Sequence, residues 1–237
     1  MSRQAAVGAG SDHPGLAGIL AGNRQWAARL RSRDPDFFQR LVDQQSPRWM
    51  WIGCSDSRVP ANEIMGLAPG EVFVHRNVAN LVQMGDLNCL AALQYAVEAL
   101  RVEHIIVCGH GNCGGVRAAL EETAHGLIDY WIWDIRQTRE RNREGLAALA
   151  PEAQTEALCE LNVLEQVAHL AQSKILRGAW GRSWPVQVHG LFYHLEDGLL
   201  RDLGASLGAT GDHGEILQGA VRACLAVRGA EAEESGP

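Results

Sequence analysis

Three short runs rich in β-forming residues, Trp49–Gly53, Glu71–His75 and His104–Cys108, are separated by stretches with helical periodicity. In Leu87–Arg101 the residues Leu90, Leu93, Ala96, Val97 and Leu100 make one apolar stripe. Such an alternation restricts the fold sharply. Parallel strands must be joined by crossovers long enough to be helices, and those helices then cover the faces of the sheet. Further on, Leu127–Arg143 and Glu156–Leu176 read as long helices, and Pro185–Leu195 as another strand ending in the turn Glu196-Asp197-Gly198. Gly214–Val227 reads as a terminal helix.

Ahead of the first strand, Leu16–Leu30 reads as a helix with Leu16, Ile19, Leu20, Trp26, Ala27 and Leu30 on its apolar side, followed by a short helix over Asp36–Val42. The expectation is an α/β fold: a central, mostly parallel sheet flanked by helices, with an N-terminal helical arm and a C-terminal strand/helix extension. It is expected as one domain over 1–237. Within it, 1–14 is a flexible arm, 15–45 the N-terminal helices, 46–229 the core and 230–237 a frayed acidic tail.

Hydrophobic residues make up 46% and charged residues 21% of the 237, enough apolar material for a substantial core. Lys plus Arg number 21 against 28 Asp plus Glu, and the basic residues are scattered, so nothing marks a nucleic-acid surface. The first apolar run is too short and glycine-broken for a secretory signal, and no stretch reaches the ~20 residues of a membrane span. Six cysteines in a chain of this length do not read as a disulfide scaffold, so a reducing cytoplasm is expected.

Chemistry concentrates at two strand ends. After the first strand comes CSDSR, with Cys54, Asp56 and Arg58 at alternate positions. After the third comes CGHGNCGG, residues 108–115. Its Gly109, Gly111 and Gly114 match the G-x-G-x-x-G dinucleotide pattern, but the acid wanted some ~20 residues on would be Asp129, inside a helical pattern. The same loop also reads as H-x-x-C, His110 to Cys113, a spacing known from zinc sites. Functional residues of open parallel sheets gather beyond the carboxyl ends of strands. If the first and third strands are neighbours, Cys54, His110 and Cys113 meet there. Two thiolates and an imidazole suit Zn²⁺ and leave a fourth position, for water or for Asp56.

The quieter readings are these. Cys89, Cys108, Cys159 and Cys224 are expected as small buried hydrophobes. His75, His104, His125, His169, His189 and His194 are expected to be structural or exposed, and Asp129–Trp133 to be a packed helix.

CSDSR followed by H-x-x-C closely resembles the β-class carbonic anhydrases. The likeness extends through GEVFVHRNVAN (70–80), the QYAVEAL helix, EHIIVCGHGNCGG and VHGLFYHLEDG (188–198), from Trp26 to about Val227. The resemblance implies one Zn²⁺ per chain on Cys54, His110 and Cys113, with Asp56 and Arg58 as a catalytic dyad. It implies reversible hydration of CO₂ to bicarbonate and a proton by a metal-bound hydroxide. Gln45 would assist substrate binding, and Gly114 and Gly115 would let backbone approach the site. It implies a homo-oligomer, a dimer or a tetramer made of dimers.

Trp51, Arg76 and Tyr193 match the non-catalytic bicarbonate pocket of the family's second, bicarbonate-regulated (type II) subgroup. There bicarbonate would displace Val59 and let Asp56 close the site as fourth ligand. Alternatives on the same fold are a CS₂/COS hydrolase, decided by substrate access, and a non-catalytic bicarbonate sensor, against which the retained dyad argues. Dinucleotide binding comes last.

Overall fold

The computed structural model describes residues 14–43, 45–121 and 123–234. Residues 1–13 of the arm expected over 1–14 and the last residues of the tail, 235–237, lie outside them. The chain forms two units, 1–45 and 46–237.

The first unit holds helices α1 (Leu16–Arg33) and α2 (Phe37–Asp43). Trp26 and Phe38 meet edge-to-face at 5.7 Å, and Arg40 pairs with Asp34 between the helices. Within this unit α1 buries none of its residues, and Leu16, Ile19 and Leu20 are exposed.

The second unit runs β1 (Trp49–Cys54), α3 (Ala61–Met65), β2 (Val72–Asn77), α4 (Leu87–Gln94), β3 (His104–His110) and α5 (Gly114–Leu120). There follow α6 (Leu127–Trp131), α7 (Trp133–Arg141), α8 (Arg143–Ala147), α9 (Pro151–Gln172) and α10 (Lys174–Gly181). It closes with β4 (Gln187–Tyr193), β5 (Leu200–Leu207) and α11 (His213–Glu234). The sheet order is β2-β1-β3-β4-β5. The first four strands are parallel, and β5 runs antiparallel to β4. From β1 the chain passes to β2 on one side and from β3 to β4 on the other, so the gap between the carboxyl ends of β1 and β3 is a topological switch point.

One face of the sheet is sealed by a large cluster in which Met50, Ile52, Ile105 and Val107 pack with Leu158, Leu161, Val163 and Leu164 of α9. A smaller cluster, Trp51, Val59, Ala61, Ile106 and Cys108, lies on the other face. Among the described residues no helix is long and apolar enough to cross a membrane.

Several boundaries differ from the sequence expectation. The helix from Leu87 continues after Gln94 as a wider, π-helical turn to Leu100 and stops at Arg101, in left-handed conformation. Leu127–Arg143 is three helices rather than one. It breaks at Ile132 and at Asn142, whose amide donates to the Thr138 carbonyl four residues back. The stretch Glu156–Leu176 divides at Ser173, an extended residue whose hydroxyl accepts the Leu176 N–H and starts α10. β5 was not anticipated, because LRDLGASL lacks regular alternation. α11 continues to Glu234, since alanine and glutamate favour helix where a frayed tail was expected from residue 230.

Candidate active site

β1 delivers Cys54 and β3 delivers His110 to the same edge, since the two strands pair in parallel with Gly53 opposite Cys108. Cys113 follows three residues after His110 and precedes the first turn of α5. Cys54, His110 and Cys113 are buried, and their ligand-type atoms lie within 4.8 Å of one another. The two sulfurs stand 3.9 Å apart. Two thiolates on one tetrahedral zinc, each at about 2.3 Å, would stand about 3.8 Å apart.

His110 Nδ1 lies 2.9 Å from the Gly111 carbonyl. A carbonyl only accepts, so Nδ1 carries the proton and Nε2 presents its lone pair. That Nε2 is buried and has no hydrogen-bond partner among the described residues. An orphaned imidazole nitrogen facing two close sulfurs is what a soft divalent cation satisfies, so the residues present fit zinc.

The electrostatics agree. Hydrogen bonding from Cys113, with further help from His110 and backbone amides, draws the Cys54 thiol down to about 4 against the cost of burial. Cys113, sharing that sulfur pair, is pushed up. Burial pulls the His110 imidazole down, but the Cys54 sulfur and the Asp56 charge outweigh it and raise it.

The turn after Cys54 is held by several bonds at once. Arg58 Nε donates to Asp56 Oδ1 at 2.9 Å and Nη2 to Oδ2 at 2.7 Å, a two-point pair, while the Arg58 N–H also reaches Oδ1 at 2.9 Å. Arg58 holds the Asp56 carboxyl well below the usual carboxylate range. Asp56 Oδ2 stands 3.8 Å from His110 Nε2, so the carboxylate faces the ligand cluster without joining it. Beyond it opens a cleft of about 470 Å³ lined by Arg58, Asn112, Arg117, Glu156 and His194 among others. A larger groove, about 860 Å³, lies away from these ligands beside Met84, Tyr130 and Trp133. Tyr130 and Trp133 are exposed there, while Trp131 and Ile132 pack against the core, so the run expected as a packed helix is packed on one side only.

The carbonic anhydrase family model matches residues 49–200, which contain both loops. A β-carbonic anhydrase from Coccomyxa, in complex with acetazolamide, aligns with a TM-score of 0.81 at 37% identity over 94% of this chain and 99% of its own. This chain belongs to the β-carbonic anhydrases. Its similarity to the carbonic anhydrase of Emericella nidulans is 45% identity over 186 residues, 78% of this chain and 82% of the relative. A tetrameric β-carbonic anhydrase of Sordaria macrospora shares 37% identity with a TM-score of 0.77, covering 80% of this chain and 97% of that one.

Within this β-carbonic anhydrase fold the other residues singled out from the sequence fall as follows. Trp51 is fully buried, and its indole N–H has no partner among the described residues. It lies over Gly53, where an added Cβ would stand 2.1 Å from the indole nitrogen. Val59 and Tyr193 pack in the same cluster. Arg76 Nε donates to the Cys54 carbonyl at 2.8 Å, and its Nη2 to the Asp56 carbonyl. Gly115 is required by its neighbours rather than by open space, since a Cβ there would stand 2.9 Å from Val78 Cγ1. A Cβ added at Gly114 would meet nothing within 4 Å among the described residues beyond its own helix and chain neighbours. Gln45 is an exposed residue at the end of the first unit.

Two of the three glycines of the dinucleotide pattern, Gly109 and Gly111, serve packing against α9. A Cβ on Gly109 would stand 2.5 Å from Val163 Cγ2, and one on Gly111 3.0 Å from a Glu156 oxygen. Asp129 sits in the first turn of α6, accepting the His125 N–H and pairing with Arg136, far from the strand-end position that reading needs.

Two supporting residues escaped sequence reading. Glu156 accepts the Asn112 N–H at 2.7 Å and so clamps the loop between His110 and Cys113, where Asn112 is left-handed at φ 53°. The Ala79 N–H donates to Cys54 Sγ at 3.3 Å. Neither is legible in sequence, because both contacts join segments that only the fold brings together.

Proposed function

We propose that Cys54, His110 and Cys113 hold one Zn²⁺ and that the chain catalyses reversible hydration of CO₂ to bicarbonate and a proton. Membership of the family supports CO₂ hydration. The observation that carries the rest is the pair of sulfurs 3.9 Å apart facing an orphaned His110 Nε2, beside the two-point Asp56–Arg58 pair. Zinc held there supplies Lewis acidity that makes water nucleophilic near neutral pH.

The remaining work falls to side chains. Arg58 fixes the Asp56 carboxylate by charge-assisted bonds and keeps it ionised. Asp56, unable to take up a proton near neutral pH, accepts a hydrogen bond from the attacking water and sets its orientation toward CO₂. On the resemblance alone, Gln45 is the proposed substrate amide. The test is stopped-flow CO₂ hydration with and without a zinc chelator; a zinc-loaded chain inactive at pH about 8–9 overturns the reading.

The same proposal includes regulation by bicarbonate. It is supported by the partnerless Trp51 indole N–H, by Val59 packed beside it, and by Arg76 bound to the Cys54 and Asp56 carbonyls. Bicarbonate paired with Arg76, Trp51 and Tyr193 displaces Val59, loosens the Asp56 turn and frees Asp56 to become the fourth ligand. Bicarbonate found in the same pocket of an Arg76→Ala variant, or a wild type whose Asp56–Arg58 pair stays closed at low pH, overturns it.

Assembly is proposed as a homodimer or a tetramer of paired dimers. The exposed apolar residues of α1 and the likeness to a tetrameric relative support it. Light scattering showing a monomer at micromolar concentration overturns it. The described cysteines are all free and buried, which suits the cytoplasm as the proposed location.

A further inference from the structure

A continuous line of buried amides runs along α9 and ends at a metal-ligand sulfur. Gln166 Oε1 accepts the Val82 N–H at 2.8 Å, and Gln166 Nε2 donates to Asn162 Oδ1 at 3.0 Å. Asn162 Nδ2 donates to the Ala79 carbonyl at 2.9 Å. Asn162, Gln166 and Ala79 are fully buried. Ala79 itself donates its N–H to Cys54 Sγ.

Ala79 holds φ 64° and ψ 27°, a left-handed conformation that a residue with a Cβ rarely adopts and that persists only where its surroundings fix it. Those surroundings are specific. Asn162 grips the carbonyl side of residue 79, Asn77 Oδ1 accepts the Leu81 N–H at 2.7 Å, and Trp131 Nε1 donates to the Val78 carbonyl at 2.8 Å. Gly115 leaves room for the Val78 and Ala79 side chains. With the carbonyl side of residue 79 pinned and its conformation set, its N–H has one direction, toward Cys54.

We propose that Asn162 is a positioning residue for the metal site: by fixing Ala79 in its left-handed conformation, it aims a backbone N–H at the Cys54 thiolate. The proposal rests on the reading that Cys54 is a zinc ligand. An N–H donated to a ligand sulfur holds its lone pairs in place and spreads its charge, and partners of this kind govern how tightly and in what geometry a metal is held. Asn162 touches neither substrate nor metal; it acts through Ala79.

The test uses the full chain loaded with Zn²⁺ alone and, separately, with Co²⁺ alone. Asn162→Ala should release zinc to a chelator roughly 10–100-fold faster than wild type, and should shift the sulfur-to-cobalt charge-transfer band. Leu176→Ala, a buried change on α10, should lower thermal stability and leave both readouts at the wild-type value. If Asn162→Ala does not fold, Gln166→Met, which removes the amide that orients Asn162, is read in the same way. Wild-type release and band in the amide variants, or equal changes in Leu176→Ala, overturn the proposal while leaving the zinc reading intact. A wild-type chain that takes up neither metal overturns the zinc reading and this proposal with it.

Discussion

Among the described residues, two groups bring three ligand-type side chains within 4.8 Å: Cys54, His110 and Cys113 at the strand ends, and His75, Asp86 and Cys89 beside the start of α4. By composition either could hold a metal. Their surroundings separate them. In the first, a second thiol, an imidazole and a backbone N–H all favour charge on Cys54, and the thiol falls to about 4. In the second, burial together with the like charge of Asp86 pushes Cys89 up to about 12.

Asp86 also has other work. Its Oδ1 accepts the Asn88 N–H and caps α4. Burial lowers the pKa of the His75 imidazole, and its Nε2 lies against the Asn77 amide. A cluster of donor atoms becomes a metal site when neighbouring groups stabilise at least one deprotonated ligand, as they do Cys54 at the expense of Cys113, and the second group lacks that support.

Metal content gives the largest separation. Cys54→Ser should lose stoichiometric zinc and essentially all CO₂ hydration, whereas Cys89→Ala should keep one zinc per chain and its activity; elemental analysis with stopped-flow assay checks both. Zinc lost equally from the two variants breaks the comparison. Next comes the dyad. Arg58→Ala should retain zinc but lower kcat/KM roughly 10²–10³-fold, because Asp56 then lacks its anchor.

The second group should respond in stability alone. Cys89→Ala is expected to cost about 1–2 kcal/mol by opening a small cavity. Asp86→Ala should cost about 1 kcal/mol through loss of the cap. Urea denaturation measures both, with metal content unchanged.

The smallest effect lies away from the first group, at His169 on α9. Its Nδ1–H donates to the Val82 carbonyl, and Glu165, hydrogen-bonded to it, outweighs burial and raises its pKa. A raised histidine contributes fully below its unfolded value near ~6.5 and loses that contribution as pH rises through the higher folded value. The stability gap between wild type and His169→Gln should therefore shrink as pH rises above about 6.5, by no more than about 1 kcal/mol. A gap that widens with pH contradicts this assignment.

Much of the fold could be read from local pattern. β1, β3 and the crossover helices follow from apolar periodicity, which reports burial directly. β5 could not be read, because its pairing with β4 is specified across the sheet rather than by its own alternation. The breaks at Ile132, Asn142 and Ser173 escaped for a related reason. Asn142 and Ser173 are of types that favour caps and turns, but one such residue inside a periodic run does not by itself mark a break, and Ile132 carries no local break signal.

The sequence by itself determined the donor types, their spacing and their place after strands. Cys54, Asp56, Arg58, His110 and Cys113 carry that information in two short loops. Only the tertiary structure decided which donors are supported. It set β1 beside β3, left His110 Nε2 without a hydrogen-bond partner among the described residues, and turned Asp86 to capping a helix. It also brought Asn162 against Ala79, 83 residues away along the chain. The physical reason is range. Periodicity and motif spacing record interactions between near neighbours in sequence, whereas desolvation and hydrogen-bond direction depend on whatever the fold places within a few ångströms.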